Sequence, residues 1–286
     1  MRQINKIYRA IAAPIADLVT YRALPTEEMP MGALDPFLFL NHHGPQTYKP
    51  NNRGLPFGPH PHRGFETVTF ILEGDIMHKD TGGHESIINA GGIQWMTAGS
   101  GLIHAEISSD TFKAQGGPLE ILQLWLNLPA KLKMTPPQYV GLQKEEIPTL
   151  PLDGGQVTVH LVSGSWGNTA APIQPLTDVL LSWIDFTAGG QISLQVPTDH
   201  TIFLYVVRGE LLINEVAAPQ LHLVDFADND ENLTLQATTD SLILFGHAQP
   251  FNEPVVAYGP FVMNTRDEID QAYADYQQGS FGTWRG

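Results

Sequence analysis

Short apolar runs, rich in Val, Ile, Leu and aromatic residues, recur along the chain between Gly, Pro, Asn and Asp. Such runs are strand signals, because branched and aromatic side chains pack well on a pleated surface. They predict strands over Thr67–Leu72, Ile93–Met96, Leu119–Leu126, Val157–Val162, Val179–Phe186, Thr201–Val207 and Ser241–Phe245. With 27 Gly and 22 Pro supplying turns, the pattern indicates an all-β sandwich or barrel. Two internal echoes stand out. Thr69–Ile76 resembles Tyr205–Leu211, each a β run turning over a glycine, and Leu119–Leu128 resembles Ser241–Gly246. Together they predict two copies of one β-barrel unit, residues 1–135 and 136–286, connected near Pro129–Pro151. Helical periodicity is clearest near the C-terminus, over residues 265–278. Thr265 and Glu268 have the spacing of a capping box, Ile269, Ala272, Tyr273 and Tyr276 form an apolar stripe, and Gly279 is a stop. That stripe either docks a partner or packs on the protein's own barrel.

Composition narrows the functional classes. Of 286 residues, 42% are apolar and 16% charged, the balance of a packed globular protein. The net charge of −15 repels phosphate backbones and anionic lipid, so direct nucleic-acid or membrane-surface binding is not expected. There is no cysteine, which excludes disulfides, thiolate catalysis and thiolate metal ligation. No apolar run approaches the roughly 20 residues of a membrane span, and the N-terminal stretch lacks a signal-peptide core. A soluble, cytoplasmic protein is expected.

The chemistry lies between Gly54 and Glu106. His60-Pro61-His62 and His104-Ala105-Glu106 each place two metal-binding side chains at a spacing of two. On a strand, residues two apart share a face. If both strands face a barrel interior, three imidazoles and one carboxylate converge on one divalent transition metal. Such a donor set suits Fe, Cu, Mn, Ni or Zn and leaves coordination positions open for chemistry. His78 and Asp80 share strand parity and either orient the ligands or stabilise a turn. Trp95 and Met96, ahead of the second ligand pair, either wall an apolar pocket or fill the core.

The strings HPHRGFETVTFILEG and GGIQWMTAGSGLIHAE, with LDPFLFL at Leu34–Leu40 and EPVVAYGPFVMNT at Glu253–Thr265, resemble the pirin family of the cupin superfamily. The resemblance spans nearly the whole chain. It implies a bicupin: two stacked antiparallel, jelly-roll-type β-barrels with a C-terminal helix, and metal in the N-terminal barrel only. It implies His60, His62, His104 and Glu106 as ligands, with iron the metal most associated with the family. Many cupins take the fourth ligand from the first motif, where Glu66 stands here. Pirin-like proteins take it from the second. Glu66 shares strand parity with His60 and His62 and could approach the centre, but is expected in a supporting or structural role. Counting back from Gly209, as His60 and His62 precede Gly74, reaches Gln195 and Pro197, and no histidine lies between Leu223 and Gly246. The second barrel is therefore expected to be metal-free.

The activity that the resemblance implies is metal-dependent dioxygenation: oxidative ring cleavage of flavonols such as quercetin with O2, Glu106 serving as general base. The competing reading is a redox-sensing iron protein that regulates a protein partner.

Overall fold

In a computed structural model, residues 1–285 are described. The chain begins with β1 (Ile4–Arg9), β2 (Ile11–Ala12), β3 (Thr20–Leu24) and β4 (Phe37–Tyr48). Next come β5 (Phe57–His62), β6 (Phe65–Glu73), β7 (Asp75–Asp80), β8 (Glu85–Asn89), β9 (Ile93–Thr97) and β10 (Leu102–Ile107). A short helix, α1 (Asp110–Gln115), precedes β11 (Gly117–Asn127), β12 (Gln138–Leu142), β13 (Thr149–Leu152) and β14 (Val157–Ser163). The hairpin β15 (Ser165–Trp166) and β16 (Thr169–Ala170) leads to β17 (Val179–Phe186), β18 (Gln191–Gln195), β19 (Thr201–Arg208) and β20 (Glu210–Ile213). The remainder is β21 (Val216–Pro219), β22 (His222–Phe226), β23 (Asn232–Ala237), β24 (Ser241–Ala248), β25 (Val256–Tyr258), β26 (Phe261–Met263) and α2 (Arg266–Gln277). Each predicted strand is present, usually longer by a residue or two. The helix begins at a Thr265 cap with a complete capping box. Among the described residues, no helix is long and apolar enough to cross a membrane.

Two compact units emerge, and they differ from a single cut between residues 135 and 136. The first unit comprises Ala12–Pro25, Phe37–Glu145 and the chain from Phe251 onward; the second comprises Met1–Ile11, Thr26–Pro36 and Glu146–Pro250. The reason is strand pairing. The N-terminal β1 pairs with β22 in the second unit, while β12, drawn from the expected connection, pairs with β9 in the first. Helix α2 also belongs to the first unit. Its Ile269 and Ala272 pack against Phe261, Met263 and Phe281, so the core of the apolar stripe is buried within its own unit.

Each unit pairs a seven-stranded sheet with a four-stranded one, and the orders match. In the first unit they run β12-β9-β6-β11-β4-β3-β2 and β5-β10-β7-β8. The second unit has β1-β22-β19-β24-β17-β14-β13 and β18-β23-β20-β21. The sequence echoes fall on matching strands, β6–β7 with β19–β20 and β11 with β24. The duplication is thus visible in topology well beyond what residue identity retains.

Candidate metal centre

Strands β5 and β10 bring the two histidine motifs together. They pair antiparallel with His104 opposite His60 and Leu102 opposite His62. The available ligand atoms of His60, His62 and His104 lie within 4.8 Å of one another. Donor atoms about 2.1 Å from one shared ion can stand no more than about 4.2 Å apart, so small side-chain shifts close this cluster on a metal. His60 Nδ1 donates to the Gly58 carbonyl at 2.8 Å, and His62 Nδ1 to the Pro260 carbonyl at 3.1 Å. A carbonyl only accepts, so each Nδ1 carries a proton and Nε2 is the nitrogen left to face an ion. Burial, reinforced by His60, pushes the pKa of His62 down to about 3. Burial likewise holds His104 well below its ordinary value, with His62 and His60 adding to the effect.

His104 supplies the strongest test of fit. Its ring is fully buried, and neither nitrogen has a hydrogen-bond partner. Leaving a buried polar group unsatisfied costs about 1–3 kcal/mol. A cation among the three rings would satisfy one of those nitrogens, so the donor set fits a divalent metal.

Glu106 lies on the same face of β10 as His104 but outside the three-histidine cluster. A register shift on the β5 side puts it opposite Phe57. Its Oε1 accepts from Thr69 Oγ1 at 2.9 Å and its Oε2 from Gln123 Nε2 at 2.6 Å. Trp125 Nε1 donates in turn to Gln123 Oε1 at 3.2 Å. Each Glu106 oxygen retains a further lone pair, so the carboxylate is oriented without being saturated.

His78 and Asp80 stand on β7, opposite Glu106 and His104 respectively. His78 Nε2 and Asp80 Oδ2 are 2.9 Å apart, and Asp80 also accepts from the His84 backbone at 3.1 Å. Burial opposes ionisation of Asp80, but these bonds outweigh it and lower the pKa. The His78 ring lies 5.5 Å from that of His104 and stacks on Tyr139, centroids 3.9 Å apart. The pair therefore packs beside the cluster.

Glu66 does not. Thr69 of β6 faces Glu106, and Glu66, three residues earlier on the same regularly paired strand, projects to the opposite face. It accepts from Thr97 there, and burial raises its pKa. The turn at Gly64 separates β5 from β6 and places them in different sheets, so shared parity across it carries no meaning. Trp95 likewise turns away. It pairs with Val68, whereas its neighbours Gln94 and Met96 pair with Thr69 and Thr67 on the Glu106 side. Met96 fills a small core with Ala98, Leu102 and Tyr139.

The aromatic wall is built instead from Trp125, which sits 5.4 Å from the His62 ring and stacks on Phe39 at 4.4 Å. Below it runs a polar row across the sheet, Arg22–Asn41–Gln123–Thr69–Gln94, each opposite the next in register. A polar residue interrupting an otherwise apolar strand, Thr69 within Thr67–Leu72 and Gln123 within Leu119–Leu126, was the available signal. Arg22, Gln123 and Trp125 are only half-buried, so this floor is reachable from solvent.

Comparison with known proteins agrees with this architecture. The Pirin family model matches residues 18–126, and the Pirin C-terminal cupin domain model matches 182–282. A crystal structure titled quercetin 2,3-dioxygenase, from Acinetobacter baumannii, superposes with a TM-score of 0.93 at 32% identity, covering 99% of each chain. A pirin-like protein of Caulobacter vibrioides is 39% identical over 91% of both chains. Human pirin is 37% identical over 88% of this chain and 86% of its own. With both family models matched on a duplicated cupin scaffold, the chain belongs to the pirin family of the cupin superfamily.

Proposed function

We propose that this protein is a metal-dependent dioxygenase that cleaves the ring of flavonols such as quercetin with O2, iron being the ion used in the cytoplasm. The observation that carries it is the buried, unpartnered His104 ring converging with His60 and His62 beside a half-exposed Trp125. The 32% identical Acinetobacter chain named for that activity supports the substrate class. His60, His62 and His104 would hold the ion, with Glu106 the adjacent carboxylate able to join them. A bound transition ion supplies Lewis acidity toward a substrate hydroxyl and an electron path to O2.

The protein's own groups do the rest. Trp125, half-buried and held between Phe39 and Phe65, gives an aromatic wall against which a flavonol can pack. Glu106, aimed by Thr69 and Gln123, takes the proton of the flavonol 3-hydroxyl on a free lone pair of its carboxylate. Asp80 is opposite His104 but is engaged by His78 and His84, which leaves Glu106 the better base.

The test is an oxygen-electrode assay on protein loaded separately with Fe, Cu, Mn or Ni. Quercetin and O2 should disappear together, one for one. Absence of turnover with all four metals would overturn the proposal.

A further inference from the structure

The second unit keeps a cavity at the place where the first unit carries its histidines. Strand β18 is the outer strand of the second four-stranded sheet, as β5 is of the first. The inward side chains of β18 are Ile192 and Leu194, while Gln195 faces solvent. The count from the paired glycines is thus out of step with the inward face by one residue. Hydrocarbon stands where the first unit has imidazole.

The space has not been filled. A cavity of 460 Å3 lies over β18, bounded by Trp166, Leu180, Ile192, Leu194, Phe245 and His247. That volume is within the range of about 300–1,000 Å3 usual for small-molecule sites. Its rings are Trp166, half-buried at the rim, and Phe245, centroids 6.3 Å apart and nearly perpendicular. No Lys or Arg lines it, and Asp178 borders the adjoining hollow that shares Leu180 and His247, so an anion would find no counter-charge.

Ser165, Ser193 and Gln195 also line the cavity, and beside them the wall carries one paired polar device. His247 Nδ1 meets His200 Nδ1 at 2.9 Å, so one ring donates and the other accepts. Burial, then the neighbouring His200, lowers the pKa of His247 to about 4, which keeps it neutral near pH 7. The nitrogen left for a ligand is Nε2. When His247 donates through Nδ1, its Nε2 is a bare acceptor. In the other tautomer, reached by proton exchange with solvent at the Nε2 atoms as well, His200 donates and the neutral His247 ring carries its proton on Nε2, which then donates. A hydroxyl matches either state, whereas a carbonyl or an ammonium matches only one.

We infer that this cavity is a second ligand site, which takes an uncharged, flat, hydroxylated aromatic molecule with its ring between Trp166 and Leu194 and its hydroxyl on His247. The inference is independent of the flavonol chemistry proposed for the first unit.

The probe is 2-naphthol, with naphthalene as the control lacking the hydroxyl, titrated into full-length metal-free protein and followed by backbone and indole NMR shifts. Saturable shifts should centre on Trp166, Leu180, Leu194 and His247, with 2-naphthol bound about tenfold more tightly than naphthalene. Trp166→Ala, which removes the ring at the rim, should weaken both ligands about tenfold. His247→Leu should bring the two ligands to equal affinity. Shifts centred instead on His60, His62 and His104, no saturation below millimolar concentration, or equal wild-type affinity for the two probes would each overturn the assignment. The wild-type shift map decides the matter even if a variant fails to fold.

Discussion

His104 shows what a binding site costs at a single residue. Both of its ring nitrogens are sealed away from water without a partner, in a ring crowded by His60 and His62 at centroid distances of 4.4 and 5.0 Å. Replacing a buried group that lacks hydrogen bonds by hydrocarbon of similar size removes a penalty of about 1–3 kcal/mol. His104→Leu should therefore make the metal-free protein more stable by about that amount, measured by urea unfolding in chelator, while abolishing metal uptake measured by elemental analysis. A destabilised His104→Leu protein would mean that the ring is held by packing that favours imidazole for its own sake. Glu106 makes the complementary case, since its carboxylate is already oriented by two donors. Glu106→Gln preserves its size and removes its basicity, so quercetin turnover should fall by about 10²–10⁴-fold with metal content retained. Equal loss of metal and activity would instead make Glu106 chiefly a ligand.

Strands and turns, one scale up, decide which of those residues meet. Gly64 sits between β5 and β6 at φ +88°, where a Cβ would lie 2.0 Å from the Val262 carbonyl oxygen. Lys133 Nζ, buried, ties the same turn down by donating to the Gly64 and Val262 carbonyls at 2.8 and 3.1 Å. Gly64→Ala must displace the segment that also anchors His62 through Pro260. It should lower Tm by at least 10 °C, as strain plus clash of several kcal/mol implies, and weaken metal binding; a calorimetric scan with and without metal reads both. This turn also marks where sequence reasoning stops. Alternation within a strand puts His60 with His62, and His104 with Glu106, on shared faces, because period two is a property of the strand itself; only the three histidines gather in one cluster. Carrying parity across Gly64 to Glu66 failed, since a glycine turn resets the face and moves the chain to another sheet. The register shift between His104 and Glu106 on the β5 side was invisible for the same reason: no local signal says which partner strand will carry it. Trp125 and Tyr139 were missed because their proximity to the histidines depends on sheet order, which a list of strands does not contain.

For the molecule as a whole, one strand order has been used twice with opposite chemistry. The first unit lines the inner face of its outer strand with imidazole, and the second lines it with Ile192 and Leu194. Buried neutral histidines nevertheless occur in both units, and that makes stability depend on pH. The pKa of His43 is pushed by burial, then by His42, to about 3; His62 is at about 3, His247 at about 4, and His104 lies well below its ordinary value. In an unfolded chain each returns to the ordinary value of 6.5. Between pH 6.5 and about 4 the unfolded state therefore binds protons that the folded state refuses, and the free energy of unfolding falls as pH falls. Above pH 6.5 neither state protonates these rings and their contribution is fully present. Carboxylates of ordinary or lowered pKa add to the loss only below about pH 4.5. Buried Glu66, its pKa raised, acts in the opposite sense above that pH, but it is one group against four depressed imidazoles, so the net slope from 6.5 to 4.5 is theirs. Scanning calorimetry in chelator should show a level Tm from pH 8 to 7 and a steady decline from 6.5 to 4.5. His43→Gln, which removes one such group outside the metal cluster, should make that decline shallower. A Tm unchanged across this interval would show that the buried rings take up protons in the folded protein and that the burial argument for their neutrality is wrong.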